Sequence, residues 1–246
     1  MSVNYFCSGF DINHAFWKEL SDRFKSEMKD TKSIVFIPGG VNKIEKVKTK
    51  YVPIFLEHFI GAGINFEEYH IITNETTNAK ELIENASFVM LMGGDPFAQK
   101  ELCEQLGIID TLKNYNGVLL GMSAGAMLMS KYIIITPCSQ EYPDFHIEPG
   151  LNLSNISIYP HNNFEGNEYP NKIDLGDEIY TKDDLLKVAS QYGNFYLLQD
   201  HMTNENITNV SLIRTHNDEM EFITQNEGKV FVATPNGIEL LKNKLL

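Results

Sequence analysis

The chain has 246 residues, 43% of them hydrophobic, and a formal net charge of −13 at pH 7. Its size and composition suit one large α/β domain, and neither a linker nor an internal repeat divides it. With only two arginines and no basic stripe, the chain lacks the positive surface that binding to nucleic acid or to an anionic membrane requires.

Cysteine usage and the first residues indicate the compartment. Cys7, Cys103 and Cys138 are odd in number and have no metal-ligand spacing, so we expect a reducing environment, no disulfide and no metal. Residues 1–20 lack the features of a signal peptide, and no apolar run is long enough to cross a bilayer. We therefore expect a single cytoplasmic domain over residues 1–246, present as a monomer or a homodimer.

Short apolar runs alternate with helical patterns through the first half of the chain. In chain order, the patterns predict a helix over 11–29, a strand over 33–40, a helix over 43–61, a strand over 66–73, a helix over 76–85, a strand over 86–94, a helix over 97–106 and a strand over 116–123. Pro53 either begins the second half of its helical segment or kinks it. This alternation predicts a mostly parallel sheet with helices on both faces, and ligands gather at the carboxyl ends of such strands.

The pattern loosens after Pro149. The sequence predicts a strand over 156–161, a helix over 182–192 and a strand over 195–200. The later runs VSLIRT, EMEFIT and KVFVAT are predicted to be short strands of an antiparallel edge or flap. The last part of the chain is therefore expected to be rich in strands.

The segment Gly121-Met122-Ser123-Ala124-Gly125 lies where a buried strand gives way to a helix. The Gly-x-Ser-x-Gly spacing is typical of a nucleophile elbow, a strained turn that presents a serine. Residues two positions from the serine must be small, because larger side chains would strike the adjacent strand or helix. The N–H of Ala124 would face a developing oxyanion. The alternative is a packing turn with an incidental serine, but the strand before it and the helix after it favour catalysis.

The segment Gly93-Gly94-Asp95-Pro96 follows another buried strand. Gly94 would allow a backbone N–H to approach a bound substrate and to serve as the second oxyanion donor. Asp95 before Pro96 fits a helix N-cap, a role that is compatible with contact to substrate.

A serine nucleophile needs a base within hydrogen-bond reach. His161 ends the predicted strand NISIYPH and would therefore face the same crevice as the elbow. The other histidines lie in helical or strand patterns, in a polar loop or near late strand ends: His14, His58, His70, His146, His201 and His216. The candidates for the acid that orients the imidazole lie between the elbow and His161, and the residues alone do not separate Glu141, Asp144 and Glu148.

These motifs resemble a known family. GMSAGAM, with LMGGDPF upstream and YPHNNF downstream, is similar to the serine peptidases of the dipeptidase E (aspartyl dipeptidase) and cyanophycinase group. The resemblance runs the length of the chain and implies the fold of class I glutamine amidotransferases, with serine in place of the amidotransferase cysteine. It implies Ser123 as nucleophile, His161 as base, and Gly94 and Ala124 as oxyanion donors.

Two departures from the family pattern concern the acid and the substrate. Dipeptidase E has its triad aspartate about fifteen residues past the serine, where this chain has Cys138, whereas the cyanophycinase glutamate would fall on Glu141. The resemblance therefore favours Glu141, with Asp144 second. Dipeptidase E also carries an arginine-containing segment after the histidine. The corresponding stretch here has Lys172 as its nearby cation, which cannot fully replace a guanidinium in gripping an aspartyl carboxylate.

The sequence thus predicts a serine hydrolase that cleaves dipeptides or short peptides through an acyl-enzyme, without metal or organic cofactor. A preference for an N-terminal aspartate is left open by the missing arginine. Asp95 and Lys172 are the candidate substrate-binding residues. One alternative is an amidotransferase-like hydrolase of another small amide or ester, and a second is a non-catalytic binding module.

Overall fold

The computed structural model of the protein describes most of the chain. The described residues are 2–40, 43–137, 142–162, 180–200, 209–217 and 219–241, with the backbone of short strands at 172–173, 176–177, 202–203 and 206–207. Cys138 and Glu141 lie outside the described residues, as does the side chain of Lys172.

The helices follow the helical patterns of the sequence with shifted ends. They are α1 (Lys18–Glu27), α2 (Ile44–Lys46), α3 (Val52–Gly61), α4 (Ala79–Asn85), α5 (Pro96–Gln105), α6 (Ile109–Asn114), α7 (Ala124–Met129) and α8 (Lys182–Tyr192). A π-helical stretch, Val47–Tyr51, joins α2 to α3. Pro53, which has no N–H, lies in the first turn of α3. It therefore begins the second half of the predicted helix, as one of the two expectations had it.

The strands, in chain order, are β1 (Val3–Cys7), β2 (Ser33–Gly39), β3 (Glu68–Ile71), β4 (Phe88–Gly94), β5 (Val118–Met122), β6 (Tyr132–Ile135), β7 (His146–Pro149), β8 (Ile158–Tyr159), β9 (Lys172–Ile173), β10 (Gly176–Asp177), β11 (Phe195–Gln199), β12 (Met202–Thr203), β13 (Asn206–Ile207), β14 (Val210–His216), β15 (Glu219–Gln225), β16 (Lys229–Thr234) and β17 (Gly237–Leu241).

Within the described residues, seven strands form the large sheet in the order β15-β14-β1-β5-β4-β2-β3. The five strands from β1 to β3 in that order run parallel, and β14 and β15 add an antiparallel edge. The mostly parallel sheet and its antiparallel edge confirm the fold class predicted from the sequence.

Helices cover both faces of the large sheet. In β4, Val89 and Leu91 pack with α4, α5 and α7, whereas Phe88 and Met90 pack with α1 and α3. These four side chains are fully buried, and burial of each such side chain contributes about 1.5–3 kcal/mol. The alternation along one strand explains why its apolar run is continuous.

A smaller sheet of four strands, again counted over the described residues, has the order β17-β16-β11-β8. Here β8 is parallel to β11, and β16 is antiparallel to both of its neighbours. The helix α8 packs against β16 and β17. The run KVFVAT therefore belongs to this second sheet, while VSLIRT and EMEFIT form the edge of the large one.

The structure differs from the sequence prediction near the start of the chain. The helix expected over 11–29 begins only at Lys18. The segment before it includes β1, which was not predicted because its run VNYFC is short and contains Asn4. The Asn4 side chain is buried, and its Nδ2 donates to Ser154 Oγ at 3.0 Å. Among the described residues, no helix is long and apolar enough to span a membrane.

Candidate active site

Ser123 occupies the turn between β5 and α7. Its backbone has φ 51° and ψ −111°, a left-handed φ that a non-glycine residue adopts only under constraint from its surroundings. Its N–H donates to Cys7 C=O at 2.8 Å and its C=O accepts from Met127 N–H at 3.0 Å. The half-buried serine is therefore held by the neighbouring strand on one side and by its own helix on the other.

The two glycines of the elbow are required by close packing. A Cβ on Gly121 would lie 2.5 Å from Met129 Sδ and 2.7 Å from the Ala126 nitrogen. A Cβ on Gly125 would lie 2.1 Å from Leu91 C=O on the adjacent strand β4. All three distances are far below van der Waals contact, which confirms the expectation that only small residues fit two positions from the serine.

The turn after β4 lies beside the elbow. Gly94 has φ +138°, and a Cβ there would lie 2.3 Å from Gly39 C=O, so glycine is required by both conformation and space. The preceding residue, Gly93, approaches Ser123, because a Cβ built on Gly93 would lie 3.6 Å from Ser123 Cβ. Ala124, at the start of α7, is fully buried. First-turn N–H groups of a helix have no acceptor within that helix.

His161 lies two residues after β8 and also has a left-handed backbone, with φ 57°. Its Nε2 is 2.9 Å from Ser123 Oγ, a hydrogen-bond distance for transfer of the serine proton. About a quarter of its side chain is exposed. The structure thus brings together the two residues that the sequence predicted as nucleophile and base.

Asp200 supplies the carboxylate on the other side of the imidazole. Its Oδ2 is 2.7 Å from His161 Nδ1, and its side chain is fully buried. The remaining oxygen, Oδ1, is buried without a hydrogen-bond partner in the described part of the chain. A carboxylate bonded to Nδ1 holds the imidazole in one orientation, with Nε2 toward Ser123.

The carboxylate beside His161 is none of the described candidates for the acid. Asp144 is exposed in the loop before β7, and Glu148 binds Lys100 Nζ at 3.1 Å and His146 Nε2 at 3.1 Å. The contact with Lys100 is the main reason that the pKa of Glu148 is lowered. Glu141, the first choice, lies outside the described residues. The carboxylate bound to His161 comes instead from Asp200, beyond the histidine in the chain.

A signal for Asp200 was present in the sequence. The run FYLLQD was predicted as a strand over 195–200, and Asp200 is its last residue. In the structure this strand, β11, pairs in parallel with β8. Asp200 and His161 therefore both lie just beyond the carboxyl ends of neighbouring strands of the smaller sheet. The carboxylates predicted as the acid all precede His161 in the chain, whereas Asp200 follows it.

Asp95 and Lys172 were predicted to contact substrate. Asp95 caps α5, because its Oδ1 accepts from Phe97 N–H at 2.8 Å and from Ala98 N–H at 3.2 Å. Its side chain is exposed next to Gly94. The backbone of Lys172 lies in β9, and its side chain lies outside the described residues.

The described cysteines are buried and free. Cys7 lies behind the elbow, and burial raises the pKa of its thiol well above the ordinary value. Burial likewise raises the pKa of Cys103 to about 12. Both thiols are therefore neutral at physiological pH and do not compete with Ser123 as nucleophiles. Within the described ranges, no group of three or more His, Cys, Asp or Glu side chains is arranged to hold a metal ion.

Both arginines of the chain connect α1 to the antiparallel edge of the large sheet. Arg23 makes a two-pronged contact with Glu221, at 2.6 and 2.7 Å. Arg214 Nε donates to Glu27 Oε1 at 2.6 Å. Each guanidinium is engaged by a carboxylate of the protein itself.

The chain matches one protein-family model and is similar in fold to solved structures. The model of peptidase family S51 matches residues 7–190. A crystal structure of a peptidase from an acI-B1 Actinobacterium has a TM-score of 0.55 at 15% identity, over 100% of this chain and 94% of the other. The structure of a Listeria monocytogenes EGD-e protein assigned as a peptidase E has a TM-score of 0.51 at 19% identity. This similarity covers 92% of this chain and 98% of the Listeria chain. These similarities show the fold. No curated protein sequence matches the chain.

Proposed function

Because the chain belongs to peptidase family S51, we propose that it is a serine peptidase that hydrolyses dipeptides or other short peptides. The proposal rests on the hydrogen-bond chain from Ser123 Oγ through His161 to Asp200, with distances of 2.9 and 2.7 Å. A hydroxyl, an imidazole and a buried carboxylate in this order form the arrangement that activates a serine.

In the first half of the reaction, His161 Nε2 accepts the proton of Ser123 as Oγ attacks the peptide carbonyl carbon. Asp200 keeps the imidazole oriented and stabilises its protonated form. The N–H groups of Gly94 and Ala124 donate to the oxyanion of the tetrahedral intermediate. His161 then gives its proton to the leaving amine, and the acyl group stays on Ser123.

In the second half, water attacks the acyl-enzyme and His161 accepts its proton. The second tetrahedral intermediate collapses, Ser123 regains its proton, and the carboxylic acid product leaves. Each proton moves through Nε2, so no metal or organic cofactor is needed for the proposed chemistry.

The proposed substrates are short and are not restricted to aspartyl peptides. The stretch after His161, residues 164–178, contains no arginine, and Lys172 would give a carboxylate a single ammonium where a guanidinium offers a fork of donors. Asp95, exposed beside Gly94, is suited to attract the ammonium group of a free peptide N-terminus. We place the enzyme in the cytoplasm as one domain, in keeping with the buried free thiols of Cys7 and Cys103.

Hydrolysis of a dipeptide panel by the wild type and by Ser123→Ala tests the proposal. The panel contains Asp-X members and neutral members, and Ser190→Ala, an exposed serine on α8, serves as the matched control. We expect cleavage by the wild type and the control, and a loss of about 10³-fold or more in kcat/KM for Ser123→Ala. Folded wild-type protein that cleaves no member of the panel contradicts the peptidase proposal.

The missing arginine supports a second candidate, a hydrolase of another small amide or ester that uses the same residues. The same protein samples distinguish the two. Turnover of esters or side-chain amides faster than any dipeptide, and lost in Ser123→Ala, would favour this second candidate.

A further inference from the structure

The glycines around Ser123 fall into two groups. At Gly39, Gly94, Gly121 and Gly125, an added Cβ would come within 2.1–2.7 Å of another atom of the protein. Real Cβ atoms do not approach other atoms so closely, so the fold itself excludes a side chain at these four positions. Their role is to let strands, turn and helix come together.

Gly93 is different, because neither its backbone nor its packing requires glycine. Its φ lies outside the left-handed region. A Cβ there would lie 3.4 Å from Met122 Cε, 3.6 Å from Ser123 Cβ and 3.8 Å from Met122 C=O. These are ordinary van der Waals distances, so an alanine would fit the fold at this position.

We propose that Gly93 determines substrate specificity: the space in front of Ser123 that a side chain at 93 would fill is occupied by the acyl residue of the substrate. This inference rests on the proposed function, since it takes Ser123 as the nucleophile. A reacting carbonyl carbon has to come within about 3–3.5 Å of Ser123 Oγ. A methyl group at 93 would lie 3.6 Å from Ser123 Cβ, the atom that carries Oγ, and would narrow the space through which that carbon approaches.

The three substituents of the carbonyl carbon indicate which part of the substrate meets Gly93. The oxyanion is directed to the N–H groups of Gly94 and Ala124, and the leaving amine is directed to His161, which protonates it. The remaining substituent is the Cα of the acyl residue, which stays attached to Ser123 in the acyl-enzyme. Gly93 therefore leaves room for an acyl residue that carries a side chain on its Cα. A methyl group on residue 93 would restrict the enzyme to acyl groups without such a side chain.

Gly93→Ala is tested with two serine-directed sulfonyl fluorides of different size, methanesulfonyl fluoride and phenylmethanesulfonyl fluoride. In both, the Ser123 Oγ–S bond forms as the S–F bond breaks, fluoride leaves, and His161 accepts the serine proton. We expect the rate constant for the larger reagent to fall about tenfold or more in Gly93→Ala, and that for the smaller reagent to change less than about threefold. Dipeptides with glycine as the acyl residue should likewise retain more activity than those with leucine.

Gly237→Ala is the control, because an added Cβ there meets nothing within 4 Å. It should leave both rate constants unchanged. If Gly93→Ala unfolds, the double variant Gly93→Ala/Met122→Ala removes the one side chain 3.4 Å from the new methyl group, and the same size dependence is expected there, measured against Met122→Ala.

Equal labelling of Gly93→Ala and wild type by the larger reagent overturns the inference while leaving the nucleophile intact. Equal slowing of both reagents also overturns it, because a general disturbance of the elbow has no size dependence. Wild-type protein that neither reagent labels at Ser123 contradicts the proposed nucleophile, and the inference fails with it.

Discussion

The two sheets contribute different halves of the candidate active site. The large sheet carries Ser123 directly after β5 and Gly94 at the end of β4. Gly94, and Gly121 and Gly125 on either side of the serine, are packed so closely that no side chain fits at these positions. The smaller sheet carries His161 and Asp200, which lie beyond the ends of two parallel strands and meet through one hydrogen bond of 2.7 Å.

This difference separates the presentation of the nucleophile from its activation. The elbow depends on packing between backbone segments of one sheet, so damage to it should appear first as lost stability. The imidazole–carboxylate pair depends on side chains on the second sheet, so damage to it should appear first as lost activity.

Asp200→Asn gives the largest expected effect. An amide keeps the size of the side chain but removes the charge that stabilises protonated His161, so kcat should fall about 10³–10⁴-fold. The melting temperature, measured in parallel, should stay near that of the wild type.

Asp144→Asn and Glu141→Gln are the matched controls for that change, because each removes a carboxylate from the loop in which the acid was expected. Both should keep kcat within about twofold of the wild type, since Asp200 already supplies the carboxylate bound to His161. If either control loses activity and Asp200→Asn stays active, the catalytic acid is in that loop and is not Asp200.

Gly125→Ala should destabilise the protein by about 3 kcal/mol or more, because the new Cβ has to displace Leu91 C=O from a fully packed contact. Urea denaturation of this variant and of Gly237→Ala compares a crowded glycine with an open one. A Gly125→Ala protein as stable as the wild type would show that the elbow is not held by its packing.

Asp184→Asn addresses the stability of α8, which packs on the smaller sheet. Asp184 and Thr181 form a reciprocal capping box. A hydrogen bond from Lys187, and to a smaller extent those from Thr181, lower the pKa of Asp184 from its usual 3.8 to about 2. The lowered pKa means that the carboxylate stabilises the fold above pH 4 and loses this effect as pH falls toward 2. Loss of the cap should cost about 1 kcal/mol at pH 7.

Asp183→Asn removes a charge from the same helical turn without touching the capping box, and it should have a smaller effect on unfolding at pH 7. The difference between the two variants should shrink between pH 4 and pH 3. A difference that is independent of pH would show that the cap does not depend on the ionised carboxylate.

His58 gives the smallest expected effect, a pH dependence on the side of the large sheet. It is buried on α3 between Phe16 and Phe55, and desolvation lowers its pKa below the ordinary 6.5. The unfolded chain therefore binds a proton more readily, so the free energy of unfolding should decrease as pH falls below about 6.5. Denaturation at several pH values should show a shallower decrease in His58→Gln, and an unchanged slope would contradict this assignment.

The parts of the site that the sequence predicted are those encoded by neighbouring residues. Five consecutive residues define the elbow around Ser123, and Pro160 with His161 marks the end of a short strand. The cap at Asp95 was predicted in the same way, because an aspartate before a proline at a helix start has one simple structural role.

The parts that the sequence did not predict depend on pairing between distant segments. Asp200 lies 39 residues after His161, and the two meet only because β8 and β11 are parallel neighbours in a second sheet. The strand β1 was missed for a related reason. Its Asn4 is polar in sequence, and its buried Nδ2 finds an acceptor only in the distant Ser154 of the described structure.

The central claim is that residues from two sheets act as one catalytic unit, and a double-mutant comparison of His161→Ala and Asp200→Asn tests it most directly. The measurement is kcat/KM for wild type, both single variants and the double variant, on one activated ester. If Asp200 acts only through His161, the double variant should match His161→Ala within about threefold. Losses that multiply in the double variant would contradict the account, because Asp200 would then act independently of the histidine it binds.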